Sequence, residues 1–181
     1  MSHAIDFDAL DEKLFVLQHL VLASSSYCEQ RGIGTESDEG DGAKDEYWGW
    51  VKALTSNYLL ECAVKTRVFH DFLTASRFEH ELKKLDAEAR EGLTIGVARK
   101  GSFPATLRET CNKIIHATHV ILVWNEESKH HYWSGKMLLT GAKGTEEWEL
   151  ELHVGQWARA MARYHESLSQ SEGRIYAGQD W

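Results

Sequence analysis

The sequence predicts a mainly α fold, a helical bundle with a small three-stranded antiparallel sheet inserted before the last helix. Apolar residues recur at helical spacing over most of the N-terminal half. Between Glu146 and Val154, by contrast, Trp148, Leu150, Leu152 and Val154 alternate with Glu147, Glu149, Glu151 and His153, the period of two of a half-buried antiparallel strand. Helical spacing then returns in Trp157, Met161, Tyr164 and Leu168.

The first helix is expected from Asp8 to Arg31, with Leu10, Leu14, Leu17, Val21 and Ser24 on one face and acids in its first turn, where they suit the helix dipole. From Gly32 to Glu46 the chain is rich in glycine and acidic residues and has little apolar surface to bury, so a flexible acidic loop is expected. A second long helix follows from about Tyr47 to Arg77, turning Val51, Leu54, Tyr58, Cys62, Val68, Phe69 and Phe72 inward. Phe78 to Ala89 continues as a charged helix. Gly92, Gly96 and Gly101 then mark a loop around Arg99 and Lys100. Pro104 suits the entry to a third core helix, and Thr106 followed by Glu109 has capping-box spacing. After Ala117 the pattern changes to strands at Val120–Trp124, Tyr132–Thr140 and Glu146–Val154, with a turn at Gly141–Gly144, so the β insert covers about residues 119–154. A last helix is expected over about Gly155–Ser169.

The 181 residues, 43% of them hydrophobic, suffice for one sizeable core and a single domain, 1–181. A formal charge of −8 argues against a protein that coats nucleic acid through a broad basic face, and leaves room for a small basic site. Cys28, Cys62 and Cys111 are odd in number and sit among apolar neighbours, as buried free thiols in a reducing compartment do. Asp6, Asp8, Asp11 and Glu12 interrupt any signal peptide, and no apolar run is long enough to span a bilayer, so a cytoplasmic protein is expected.

Chemistry concentrates in Leu107–Ala117. Each helical residue turns ~100°, so Arg108, Asn112 and His116 share one stripe, with His119 between the last two, while Leu107, Cys111, Ile114 and Ile115 face elsewhere. A guanidinium can hold a phosphate, and an imidazole can move a proton near neutral pH, which together suit phosphodiester cleavage. Structural roles compete: Arg108 pairing with Glu61 or another acid, Glu109 and Lys113 as a solvated pair, and Trp124, Trp133, Trp148 and Trp157 joining sheet to bundle. A metal-dependent hydrolase using His116 and His119, completed by His70, Asp71, His80 or Glu61, stays open, although no His-Glu-x-x-His motif is present.

The piece LRETCNKIIHA, preceded by a helix containing Leu60-Glu61-Cys62-Ala63-Val64-Lys65-Thr66-Arg67, resembles the higher eukaryotes and prokaryotes nucleotide-binding (HEPN) superfamily. The resemblance implies a helical bundle, a homodimer, and a metal-independent endoribonuclease of a toxin or phage-defence system that needs no cofactor and has RNA and a cognate antitoxin or regulatory protein as partners. The family motif sets an Arg, a polar residue and then a His on the penultimate core helix. Arg108, Glu109 and His116 fill those places. Seven residues lie between Arg108 and His116, where the family usually has four to six, which gives Asn112 a share of the arginine's neighbourhood. Arg67, Lys65, Arg99 and Lys100 become candidate phosphate contacts. A catalytically inactive nucleotide- or protein-binding module is the alternative.

Overall fold

The computed structural model describes residues 6–33, 42–75, 78–125 and 130–176. Among these residues five helices, α1 (Phe7–Arg31), α2 (Gly42–Ala75), α3 (Glu79–Ala89), α4 (Leu107–His116) and α5 (Val154–Tyr176), are combined with four strands. The strands are β1 (Gly96–Lys100), β2 (His119–Asn125), β3 (Tyr132–Lys143) and β4 (Glu146–His153). They form one antiparallel sheet in the order β1-β4-β3-β2.

The sheet therefore has four strands and not the three expected, and it is not wholly inserted before the last helix, because β1 precedes α4. The missed strand is short, and its pairing is non-local: Gly96, Val97 and Ala98 oppose Leu152, Glu151 and Leu150. Gly96, taken from the sequence as a loop marker, is instead a close-approach position, since a Cβ there would stand 2.9 Å from the Glu151 carbonyl oxygen.

Local chemistry explains the helix ends. The Asp6 carboxylate accepts from the Ala9 amide and caps α1, and Gly32, at φ 65°, ends it. Helix α2 starts at Gly42 and not at Tyr47, so Ala43–Glu46, helix-compatible residues, extend it into part of the expected loop; the rest of that loop, 34–41, lies outside the described residues. Helix α5 likewise runs on past Ser169 to Tyr176.

One core joins helices to sheet. Trp133, Met137 and Leu139 of β3 and Trp148, Leu150 and Leu152 of β4 are buried with Leu10, Leu14 and Leu17 of α1, Leu107 and Cys111 of α4, and Trp157, Met161 and Tyr164 of α5. The alternate residues of β4, Glu147, Glu149, Glu151 and His153, face away from it. The tryptophans thus join sheet to bundle as expected, with Trp124 packed on Trp48 at 4.9 Å between rings. All three cysteines are free and buried. Among the described residues no helix is long and apolar enough to cross a membrane.

The β3–β4 turn lies at Gly144 and Thr145, later than expected, because Gly141 belongs to β3 and makes room for the Trp148 indole opposite it. A Cβ at Gly141 would come within 2.8 Å of Trp148 Cε2 and 3.0 Å of the His116 carbonyl oxygen. Gly141→Ala is expected to destabilise the protein by about 1–3 kcal/mol, read as a lower urea midpoint at unchanged slope.

Candidate active site on helices α2 and α4

One carboxylate and one hydroxyl fix the start of α4. The Thr106 hydroxyl accepts from the Glu109 amide at 3.1 Å, as the capping spacing predicts. Asp86, which the sequence did not single out, reaches across from α3 and accepts from the amides of Leu107 at 2.9 Å and Arg108 at 3.4 Å. The positive end of α4 is therefore already occupied by an internal carboxylate, itself paired with Arg90.

Along α4 the polar stripe meets α2. Arg67 donates from Nε to Asn112 Oδ1 at 2.8 Å and forms an ion pair with Asp71 one turn on. Arg108 Nη2 lies 3.7 Å from the same Asp71 carboxylate. Asn112 Nδ2 donates to Glu109 Oε2 at 3.2 Å, so its two partners, a pure donor and a pure acceptor, define which way the amide points. Lys113 Nζ sits 3.3 Å from Glu109 and over the rings of Phe103 and Trp148, at 4.3 and 4.5 Å. Glu109–Lys113 is therefore not the solvated pair expected, since Lys113 is buried between aromatic faces.

Arg67, Arg108, Asn112 and Glu109 are thus brought together. Two guanidiniums share one carboxylate at Asp71, with the Glu109 carboxylate close by across Asn112. Arg108 pairs with Asp71, not with Glu61; Glu61 holds Lys65 at 2.7 Å and Lys13 at 3.5 Å.

His116 is exposed on the last turn of α4. Eight residues at 1.5 Å per residue separate its backbone from that of Arg108 by ~12 Å along the axis. Helix α4 ends at His116 and His119 opens β2, so the helical spacing behind a two-histidine metal site does not form. Among the described residues no three His, Cys, Asp or Glu side chains gather as a metal cage.

The other proposed phosphate contacts are committed elsewhere. Lys65 is held by Glu61 on α2. Arg99 and Lys100, on β1, pair with Glu151 and Glu147 of β4. Glu151 also holds Lys136 at 3.2 Å and His153 at 3.0 Å, and Arg99 first among them keeps its carboxyl down to about 2. A carboxyl depressed in the folded state contributes stability that is complete above its unfolded value near 4.5 and is lost as pH falls towards 2. Wild type is expected to lose about 1–3 kcal/mol more than Glu151→Gln between pH 6 and pH 2.5, measured by urea unfolding.

Two features absent from the sequence reading flank the cluster. His70, considered there only as a metal ligand, is buried and shares a 2.7 Å hydrogen bond with the Tyr164 hydroxyl. Burial first, then the charges of Arg108 and Arg67, pull its imidazole down to about 3, so it is neutral. Farther off, His165 joins Asp11 (2.9 Å from Nδ1) to Thr66 (3.0 Å from Nε2). That connectivity matches a hydrolase triad, but Thr66 and His165 are both 0% exposed, so no substrate reaches the hydroxyl. The cysteines are no better as nucleophiles: burial pushes the Cys62 thiol up to about 12, and Cys111 up as well.

Compared with family models, curated proteins and solved structures, the chain has no significant match.

Proposed function

We infer that the protein is a metal-independent endoribonuclease of the HEPN type whose site is completed between two copies of the chain. The observation that carries this reading is the Arg67–Asp71–Arg108 cluster: two guanidiniums on one carboxylate, beside Asn112 and on the same helix as an exposed histidine. Guanidiniums hold phosphate oxygens through paired N–H groups, and an exposed imidazole can be reached by a substrate hydroxyl.

Within one chain the backbones of Arg108 and His116 stand ~12 Å apart along α4, a wide span for a single phosphodiester. A twofold axis crossing α4 near Asn112 removes the difficulty, because antiparallel copies of the helix then set Arg108 of one protomer beside His116 of the other. An uncovered apolar stripe supports such a contact. Leu60, Val64 and Val68, one turn apart on α2 and 46, 39 and 48% exposed, run alongside Arg67 and Asp71.

In this reading His116 takes the proton of a ribose 2′-OH as that oxygen bonds to phosphorus. Arg108 and Arg67 offset the charge that develops on the phosphoryl oxygens, and as the P–O5′ bond breaks the leaving oxygen gains a proton from solvent, to which the imidazolium of His116 gives up the proton it took. The products are a 2′,3′-cyclic phosphate and a 5′-OH end. The setting is that of the resembled family: the cytoplasm, in a toxin or phage-defence system with a cognate regulatory protein. Purified protein is expected to cut mixed RNA in the presence of EDTA and to spare an oligonucleotide carrying a single 2′-deoxyribose at the cut site. Cleavage equal in wild type, Arg108→Ala and His116→Ala would refute the assignment.

A second reading, a binding module without cleavage, is favoured by one observation. Asn112 is held on both sides, by Arg67 and Glu109, so the cluster is satisfied from within. RNA binding that weakens in Arg67→Ala without any cleavage would select it.

A further inference from the structure

A cleft of about 310 Å³ opens between α3, α4 and α5, beside the arginine cluster. Leu82 and Pro104 line it beside the buried His70 and Tyr164, the pairs Glu79–Lys83 and Asp86–Arg90 border it, and Arg108 lines it while also reaching Asp71 in the cluster. We propose that this cleft is the seat of one unstacked nucleobase adjoining the phosphate held by Arg108. The proposal rests on the RNA-cleaving reading of the arginine cluster and adds to it the part of the substrate that the cleft selects.

Three observations favour a neutral ring over a second phosphate. The positive end of α4, where an anion would otherwise sit, is filled by the Asp86 carboxylate. The buried imidazole of His70, bonded to Tyr164, is neutral, and the two acids that border the cleft, Glu79 and Asp86, are each paired with a base, Lys83 and Arg90, so the lining does not gather cations for a second phosphate. The volume is at the small end of ligand pockets, roughly 300–1,000 Å³, which admits one ring system and not a dinucleotide. A planar heterocycle with donors and acceptors on its edge suits a small cleft lined by Leu82, Pro104, an imidazole and a phenol with charged groups at its border, and RNA is commonly recognised by bases splayed from a single strand into such sites. Arg108, shared by cleft and cluster, fixes the ligand's polarity: base inward, phosphate at the mouth.

The four nucleoside 5′-monophosphates and ribose 5-phosphate serve as probes, titrated into the full chain and followed by amide chemical shifts and calorimetry. At least one nucleotide is expected to bind tenfold or more tightly than ribose 5-phosphate, with shifts at Leu82, Arg108 and Tyr164. Leu82→Trp, which fills the slot, is expected to abolish that tenfold advantage and leave ribose 5-phosphate unaffected. Because Leu82 is buried, Glu79→Trp on the exposed rim is used as a second obstruction that leaves the core intact. Equal binding of all five probes, or a nucleotide advantage that survives both obstructions, would overturn the proposal. Base-selective binding without RNA cleavage keeps the seat and removes the ribonuclease reading; cleavage indifferent to base, unchanged in both variants, does the reverse.

Discussion

A mixed dimer of one Arg108→Ala protomer and one His116→Ala protomer is expected to recover about half of the wild-type cleavage rate, although each variant alone falls by about 10²–10³-fold. The arithmetic follows from the twofold axis. In the proposed dimer each site takes its guanidinium from one copy of α4 and its imidazole from the other. In the mixed dimer one site therefore lacks both groups and the other lacks neither. Were Arg108 and His116 to act within one chain, both sites would be broken and the mixture would be as inactive as its parents. Co-expression with two affinity tags, tandem purification and a cleavage assay distinguish the two outcomes. The size of the single-variant losses is also informative. Removing the arginine removes charge stabilisation in the transition state, so kcat is expected to fall more than KM rises.

Trp157→Ala is expected to destabilise the protein by about 3–5 kcal/mol, a large share of the stability of a domain of this size. The indole is wholly buried where α5 crosses behind α4, and its Nε1 donates to the Thr110 hydroxyl at 2.9 Å. Truncation removes apolar contact on all sides of the ring and opens a cavity that the sheet, braced by Trp133 and Trp148, has little freedom to close. Trp157→Phe keeps most of the volume and loses the hydrogen bond, so a smaller loss of about 1–2 kcal/mol is expected. Urea unfolding followed by far-ultraviolet circular dichroism reads both. A loss below 1 kcal/mol for the alanine variant would mean that α4 and α5 repack without this ring.

What could be read from the residues alone follows the range of the interactions. Helices α1, α4 and α5 and strand β4 declare themselves because their periodicity lies within a few neighbouring residues, and the Thr106 cap acts across three. Strand β1 does not: Gly96–Lys100 is too short for a period, and its partners lie some fifty residues on, in β4. The same limit applies at the site. The stripe of Arg108, Asn112 and His116 follows from helical geometry, and Asp71 could have been found from its place one turn after Arg67. Nothing local ties Asp86 to the start of α4, or His70 to Tyr164, which are 94 residues apart. Nor does sequence reveal that Arg99 and Lys100 are spent on the acids of β4, because that pairing exists only once the sheet has formed.

The His165 bridge has a consequence for synthesis. Its ring ties Thr66 and Asp11 to a residue 99 and 154 positions later, and the Phe7 ring packs against it at 4.9 Å. A chain still being translated can form α1 and α2, but the socket between them stays unfilled until residue 165 has left the ribosome. Closure over so long a loop is entropically slow. A chain that stops short of residue 165 is expected to leave the apolar flank around Phe7 and Phe69 without this cover.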